Sequence, residues 1–318
     1  MDYNKNMLLD IGATSLKKIA LNEEAKKYVL ENEVLYSLLK KAADRYIGGE
    51  NLDEVLLTIA RLNKRGYAVT TDYMGESIHT ELEANLAKDE FITLIRAIKG
   101  YGLQSSISLD LSHIGLLVSE DLVKQNLILI SEEARNANLE VIISMEGIER
   151  TDQVLNIYKE ASKTQDNLGI TLQAYLHRTI DDFKEVMNCK GSIRMVKGAF
   201  DVPENIAIAR GNILNDMYLS YVEQLLERNH FCSIASHDHY IFQEAIQLIE
   251  KYKATNYTLE RLLGIENNEF DLYKEEKYNC RMYVVYGKEW FLYLCNRWAE
   301  YPLNLFRGLE DMITVKTR

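Results

Sequence analysis

The chain has little proline, two residues in 318, and only four cysteines. So few prolines leave no proline-rich linker or low-complexity tract to divide it. Cys189, Cys232, Cys280 and Cys295 lie far apart and form no C-x-x-C pair, which removes the usual spacing for zinc or dithiol exchange. They are expected to be reduced and mostly buried. Positive charge is also short: 37 Lys and Arg against 48 Asp and Glu give a net charge of -11. Nucleic-acid binding needs a basic surface to displace counterions, so no nucleic-acid partner is expected. No run approaches the ~20 apolar residues of a membrane span. The opening MDYNKNMLLDIGATSLKKIA lacks the basic start, apolar core and cleavage site of a secretory signal. The expectation is a soluble, cytoplasmic protein.

What is present is apolar content, 47% of the chain, enough to bury a large core. The reading is a helical N-terminal segment over residues 1–65 and one domain over 66–318. β-rich runs fall at 67–72, 106–111, 140–145, 169–174, 192–197, 231–235, 257–263 and 281–286, with amphipathic runs between them. One such run, from Ser119 to Asn138, is expected to present Leu122, Asn126, Leu129 and Ile130 on one face. Parallel neighbours need a crossover long enough to hold a helix, so eight such alternations predict an α/β fold, a (β/α)8 barrel. A doubly wound open sheet is the competitor. It lacks the G-x-G-x-x-G that a dinucleotide site would need after the first strand.

Active sites of barrels lie at the C-terminal ends of the strands. That rule selects Asp72, Tyr73 and Glu76 after the first run, Asp110 and Ser112 on the second, and Ser144 and Glu146 on the third. Gln173, Tyr175 and Arg178 follow the fourth, Arg194 and Lys197 lie on the fifth, and Ser236, His237 and Asp238 follow the sixth. Glu260, Tyr283 and Tyr286 come from the last two. In RMVKGAF two cations bracket a strand, and Gly198 permits close backbone approach by a ligand. Arg194 and Lys197 either pair with acidic neighbours such as Glu146 or Glu300, or await an anionic ligand. His237 and His239 have the spacing of a ligand pair but lack a third ligand, so no metal is expected. The segment GKEWFLYLCNRWAEYPLNLF reads as an amphipathic helix with Tyr293, Arg297 and Glu300 on one face. That face is a solvated rim or the cap of a pocket, with Arg297 offering a fork to a carboxylate.

TDYMGE, SISLDLSHIGL, ISMEG, LQAYLHRT, RMVKGAF, IASHDH, ERLLGI, YVVYG and YLCNRWAEYP follow one another at about one per expected strand. Over residues 66–302 this pattern resembles the proline dehydrogenase family. The resemblance implies a distorted (β/α)8 TIM barrel whose final helix caps the substrate pocket, and noncovalent FAD. It implies hydride transfer to flavin N5 from a carbon beside an amine nitrogen, giving an imine, with a quinone or another electron acceptor downstream. By position, Gln173 matches the flavin-ring ligand and Arg194 the cation near N5. Lys197, Gly198, Ala199, Ser236, His237, Asp238 and Glu300 match other cofactor-binding positions. Phe200, Leu262, Tyr283, Tyr293 and Arg297 fall at substrate-side positions, with Arg194, Tyr283 and Arg297 the implied catalytic set.

The substrate side departs from the family pattern. A strand-two Lys and a helical Arg-Arg pair, which clamp the substrate carboxylate, are replaced here by Asp110, Asn296 and Arg297. Losing two charge-assisted hydrogen bonds at roughly 1.5 to 3 kcal/mol each would weaken a carboxylate ligand by about 3 to 6 kcal/mol. Ser144 stands for an Asp, Phe200 for a Tyr, and Thr258-Leu259-Glu260 for Glu-Phe-Gln. Alternatives to proline oxidation are therefore an amine without a free carboxylate and a barrel that has lost turnover. Peripheral membrane contact with a quinone pool would need an apolar face, for which WFLYLCNRW is the candidate.

Overall fold

A computed structural model describes residues 2–75, 78–200, 202–265, 267–301 and 303–314. Glu76 lies outside the described residues. Four helices come first: α1 (Asp2–Ala20), α2 (Glu23–Glu31), α3 (Glu33–Ala43) and α4 (Leu52–Lys64). Then strands and helices alternate as β1 (Ala68–Tyr73), α5 (Glu81–Gly100), β2 (Ser105–Leu109), α6 (Glu120–Asn136), β3 (Val141–Ile143), α7 (Thr151–Ala161), β4 (Leu168–Gln173) and α8 (Thr179–Val186). The series continues with β5 (Ile193–Val196), α9 (Asn212–Glu227), β6 (Cys232–Ala235), α10 (His239–Tyr252), β7 (Tyr257–Leu262), α11 (Asn267–Glu275) and β8 (Cys280–Tyr286). It ends in α12 (Trp290–Glu300) and α13 (Asn304–Ile313). Every expected strand is present within about two residues at its ends, the ordinary uncertainty of such boundaries.

The strands close into a barrel in the order β1 to β8, which rules out the open doubly wound sheet. The paired neighbours β1 to β8 run parallel, in registers such as Thr171↔Arg194, Arg194↔Ser233 and Leu262↔Tyr283. By residue clustering the chain forms two compact units: Ile59–Tyr283, and Met1–Thr58 together with Val284–Arg318.

In the barrel unit, Ile107, Leu109, Val141, Ile143, Ile170, Leu172, Ile193, Met195, Ile234 and Leu259 are all buried. The residues that alternate with them face the lumen and many are polar, among them Ser106, Ser108, Thr171, Arg194, Ser233 and Glu260, whereas Ile142 on β3 is apolar. Arg194 on β5 reaches Ser108 on β2, and Arg281 on β8 reaches Ser106 on β2; such contacts join strands that are not neighbours through the lumen. Around the barrel, Ser119 caps α6 by accepting from Leu122 N at 3.1 Å. The buried face of α6 carries Leu122, Val123, Asn126, Leu127, Ile130, Ser131 and Ala134. Leu129, expected there, is 47% exposed. At about 100° per residue it falls on the rim of an arc centred nearer Val123 and Ile130. Cys232, Cys280 and Cys295 are buried and Cys189 is half-buried, as expected.

In the other unit, Asn32 ends α2 and caps α3, accepting from Leu35 N at 3.0 Å. Arg45 makes a forked pair with Asp311 of α13 at 2.6 and 2.8 Å. A Cβ at Gly308 would meet the Trp298 ring at 2.4 Å, so α13 approaches α12 through a residue with no side chain. The expected single final helix is in fact two. Tyr301 takes φ -143° and ψ 88°, outside the helical region, because the residue before a proline is driven out of it. The apolar face of α12 is also spent: Trp290, Phe291, Leu294, Cys295 and Trp298 are buried. Of the apolar residues in WFLYLCNRW, only Leu292 and Tyr293 are left half-buried. Among the described residues, no helix is long and apolar enough to cross a membrane.

Candidate active site

Period-two alternation sends one side of each strand into the lumen, and near the C-terminal strand ends those side chains form a connected polar layer. Arg194 is central and 4% exposed. Its Nη2 donates to Ser108 Oγ at 2.9 Å, and its guanidinium lies 5.0 Å from the centre of the Tyr283 ring. Its Nε is 3.5 Å from Glu260 Oε2, within ion-pair range but without a hydrogen bond. Burial works against the charge on Arg194. Glu260, Tyr283 and Asp72 outweigh that penalty and hold its pKa above the ordinary value, so it stays a cation.

The Tyr283 hydroxyl donates to Asp72 Oδ2 at 2.5 Å and stands 3.3 Å from Ser108 Oγ. Ser108 Oγ also lies 3.0 Å from Ser144 Oγ. Burial and then Asp72 push the Tyr283 phenol well above its ordinary pKa, with Arg194 opposing, so it remains protonated. Asp110 adds a further negative charge to its surroundings. Ser108 was not anticipated, although S-S-I-S-L places Ser106 and Ser108 at the same period as Asp110 and could have shown it.

A second cluster forms where β5 and β6 end. Lys197 Nζ donates to Asn215 Oδ1 at 2.6 Å and to Asp238 Oδ2 at 2.5 Å. Asp238 also caps α10, accepting from Tyr240 N at 3.0 Å, and its own N–H donates to Ser236 Oγ at 3.0 Å. Burial would raise the Asp238 pKa, but Lys197 and the backbone donors bring it below the ordinary value. Asn215 carries no local sequence signal, because α9 brings it to Lys197 from 18 residues away. The expected partners of the two cations are corrected here: Arg194 takes Glu260, and Lys197 takes Asp238. Glu146 instead pairs with Arg150 at 3.1 Å and accepts from Ser112 N at 2.8 Å.

Gly198 follows at φ +113°, where a Cβ would sit 2.2 Å from the Tyr175 ring. Only glycine suits that turn. Ala199 and Phe200 beyond it are exposed, and the Phe200 carbonyl accepts from Tyr175 OH at 3.3 Å. Gln173 is buried, with a single long bond of 3.4 Å from Nε2 to the Glu146 carbonyl. Leu262 ends β7 half-buried. His237 is half-buried, whereas the His239 ring is engaged by Glu269 and by Tyr273 OH.

Residues 55–300 match the family model described as proline dehydrogenase. Proline dehydrogenase 1 of Bacillus subtilis subsp. natto is 34% identical over 277 residues, covering 85% of this chain and 90% of that protein. Proline dehydrogenase 2 of Bacillus subtilis strain 168 is 31% identical over 273 residues, with the same coverage of each chain. The chain belongs to the proline dehydrogenase family. In fold it is similar to the proline utilization A protein of Bdellovibrio bacteriovorus, with TM-score 0.78 and 17% identity. That match covers 98% of this chain but spans 40% of the other's length.

Family membership sorts the expected positions into two groups. Asp110, Gln173, Arg194, Lys197, Gly198, Ala199, Phe200, Ser236, His237, Asp238, Leu262 and Tyr283 belong to the barrel unit, on or just beyond strand ends. Tyr293, Asn296, Arg297 and Glu300 belong to α12 in the other unit. There Tyr293, Arg297 and Glu300 share a face as expected: the Arg297 guanidinium lies 5.0 Å from the Tyr293 ring centre and pairs with Glu300.

Proposed function

We propose that this chain is an FAD-dependent proline dehydrogenase that passes its electrons to a quinone. The observation that carries the reading is Arg194: in a chain of this family, a lumenal cation whose Nε is buried without a hydrogen-bond partner. A bound flavin would offer that Nε an acceptor. The rest of the donor set fits the same cofactor. Gln173 keeps a weakly engaged amide, Gly198 allows close approach, and Lys197 with Ser236 and Asp238 supplies the charge and hydrogen bonds a dinucleotide needs. Bound FAD would accept a hydride from the carbon beside the substrate nitrogen, leaving an imine.

The chain's own residues then have simple tasks. Arg194, kept charged, would stabilise the negative charge that reduction puts on a bound flavin. Tyr283, its hydroxyl tied to Asp72, presents a fixed ring against which a small saturated ring can pack. Phe200 and Leu262 add apolar contact at the barrel's strand ends; on α12, Arg297 is the cation that the family pattern gives for the substrate carboxylate, with Tyr293 beside it. Asp110 and Asn296 stand where the family pattern has cations for that carboxylate, so a raised KM for proline is expected.

The test is anaerobic mixing of flavin-loaded protein with L-proline, followed through the visible flavin absorbance. Rapid bleaching is expected. Bleaching only by amines that lack a free carboxylate would overturn proline as substrate. A protein that holds no flavin would overturn the whole reading.

A further inference from the structure

A charged group beside Arg194 in the lumen has no role in the reading above. Glu260 on β7 is 1% exposed. Its Oε2 accepts from Ser233 Oγ and faces Arg194 Nε at 3.5 Å, while its Oε1 is buried with no hydrogen-bond partner. The carboxylate is close enough for its charge to act on Arg194 and too far to be neutralised by a hydrogen bond.

We propose that Glu260 is a positioning residue that lowers the reduction potential of the bound flavin by offsetting the charge of Arg194. This rests on the proposed function, in which the flavin ring meets Arg194. Reduction puts negative charge on the ring, so a bare cation beside it favours the reduced form and a paired cation favours it less. The lumen excludes the water and salt that screen a surface carboxylate, so the charge of Glu260 is felt at the neighbouring site. Asp72 is the other carboxylate acting on Arg194, but it accepts a hydrogen bond from the Tyr283 phenol. Glu260 has a single neutral donor, Ser233, and that hydroxyl also holds Oε2 on the Arg194 side.

The experiment measures midpoint potentials of flavin-loaded wild type, Glu260→Gln, Glu260→Asp and Ser233→Ala by equilibration with a reference dye. Glu260→Gln is expected to shift the oxidised-to-reduced equilibrium at least tenfold toward the reduced form, about 30 mV for a two-electron couple. Glu260→Asp keeps the charge and is expected to stay near wild type. Ser233→Ala leaves the carboxylate less compensated and is expected to move the potential the opposite way. A Glu260→Gln protein that holds flavin at an unchanged or lower potential overturns the proposal. Should that variant fail to hold flavin, an unchanged or higher potential in Ser233→Ala overturns it instead. Wild type that holds no flavin, or is not bleached by proline, sinks the functional reading itself; wild type that does both, with variant potentials unmoved, sinks only the role of Glu260.

Discussion

Two arginines are buried almost completely on opposite sides of the barrel wall, Arg194 at 4% exposure and Arg261 at 1%. Arg261 points outward, with its guanidinium 4.9 Å from the Phe242 ring centre and 5.2 Å from that of Phe270, and its Nη1 donates to Glu269 at 3.0 Å. Arg194 points inward, holds one hydroxyl and faces Glu260 without a hydrogen bond. Glu260 and Arg261 are consecutive on β7, so the pleat sends the carboxylate to one arginine and the other arginine to its own carboxylate. The outer cation is packed and paired as a structural element. The inner one lies on the lumenal side among the strand-end residues, beside a hydroxyl, a phenol ring and a carboxylate held beyond hydrogen-bond distance. Burial alone does not separate them; what surrounds the charge does.

That contrast can be broken most directly at the outer site. Arg261→Met should cost about 1.5 to 3 kcal/mol of stability, the usual loss of a charge-assisted hydrogen bond, because its half-buried partner Glu269 keeps His239 and some solvent. Denaturant unfolding would measure it, and turnover of the protein that remains folded should stay near wild type. A large fall in turnover at equal folded fraction would end the division into structural and functional arginines.

The complementary change is Arg194→Gln. It should lower proline-dependent flavin reduction by roughly a hundredfold or more, as when a donor to developing negative charge is deleted. Stopped-flow reduction under anaerobic conditions would show it. A variant that reduces its flavin at wild-type rate would remove Arg194 from the chemistry.

A third buried base-former sharpens the rule that a nearby carboxylate keeps a cation charged. His113 is 3% exposed, stacked on Tyr73 at 5.1 Å between ring centres and edge-on to Phe91 at 5.7 Å. Burial lowers its pKa from 6.5 to about 4, with a backbone hydrogen bond at Tyr73 opposing only weakly. Between those values the unfolded chain binds a proton that the folded chain refuses. His113 therefore contributes stability that is complete above pH 6.5 and is lost as pH falls toward 4. The loss is on the order of 3 kcal/mol, at 1.36 kcal/mol per pH unit. Comparing wild type with His113→Gln across that window should show the difference between them shrinking as the pH drops. A constant difference would mean that His113 is protonated when folded.

Much of this was legible in the chain. Strands such as β4 and β8 stand out because β-branched and apolar residues recur at period two, and RMVKGAF marks a ligand-facing strand end by its cations and glycine. The partners were not legible. Arg194 could have paired with any of several carboxylates, and the one it meets, Glu260, is 66 residues away. Lys197 meets Asn215 from the helix of its own βα unit and Asp238 from the next unit, and no local pattern marks either as its partner. Leu129 was misplaced because a few tens of degrees around a helix decide burial. α12 and α13 were read as one helix although the Tyr301–Pro302 step was visible in the sequence.

By itself, then, the sequence determined the alternation of strands and helices, the family and the types of side chain at the strand ends, because these depend on local period and composition. Only the tertiary structure decided which charges meet. Closing eight strands into a ring sets residues from β1, β2, β5, β7 and β8 around one lumen, and no local pattern records which of them will face each other there.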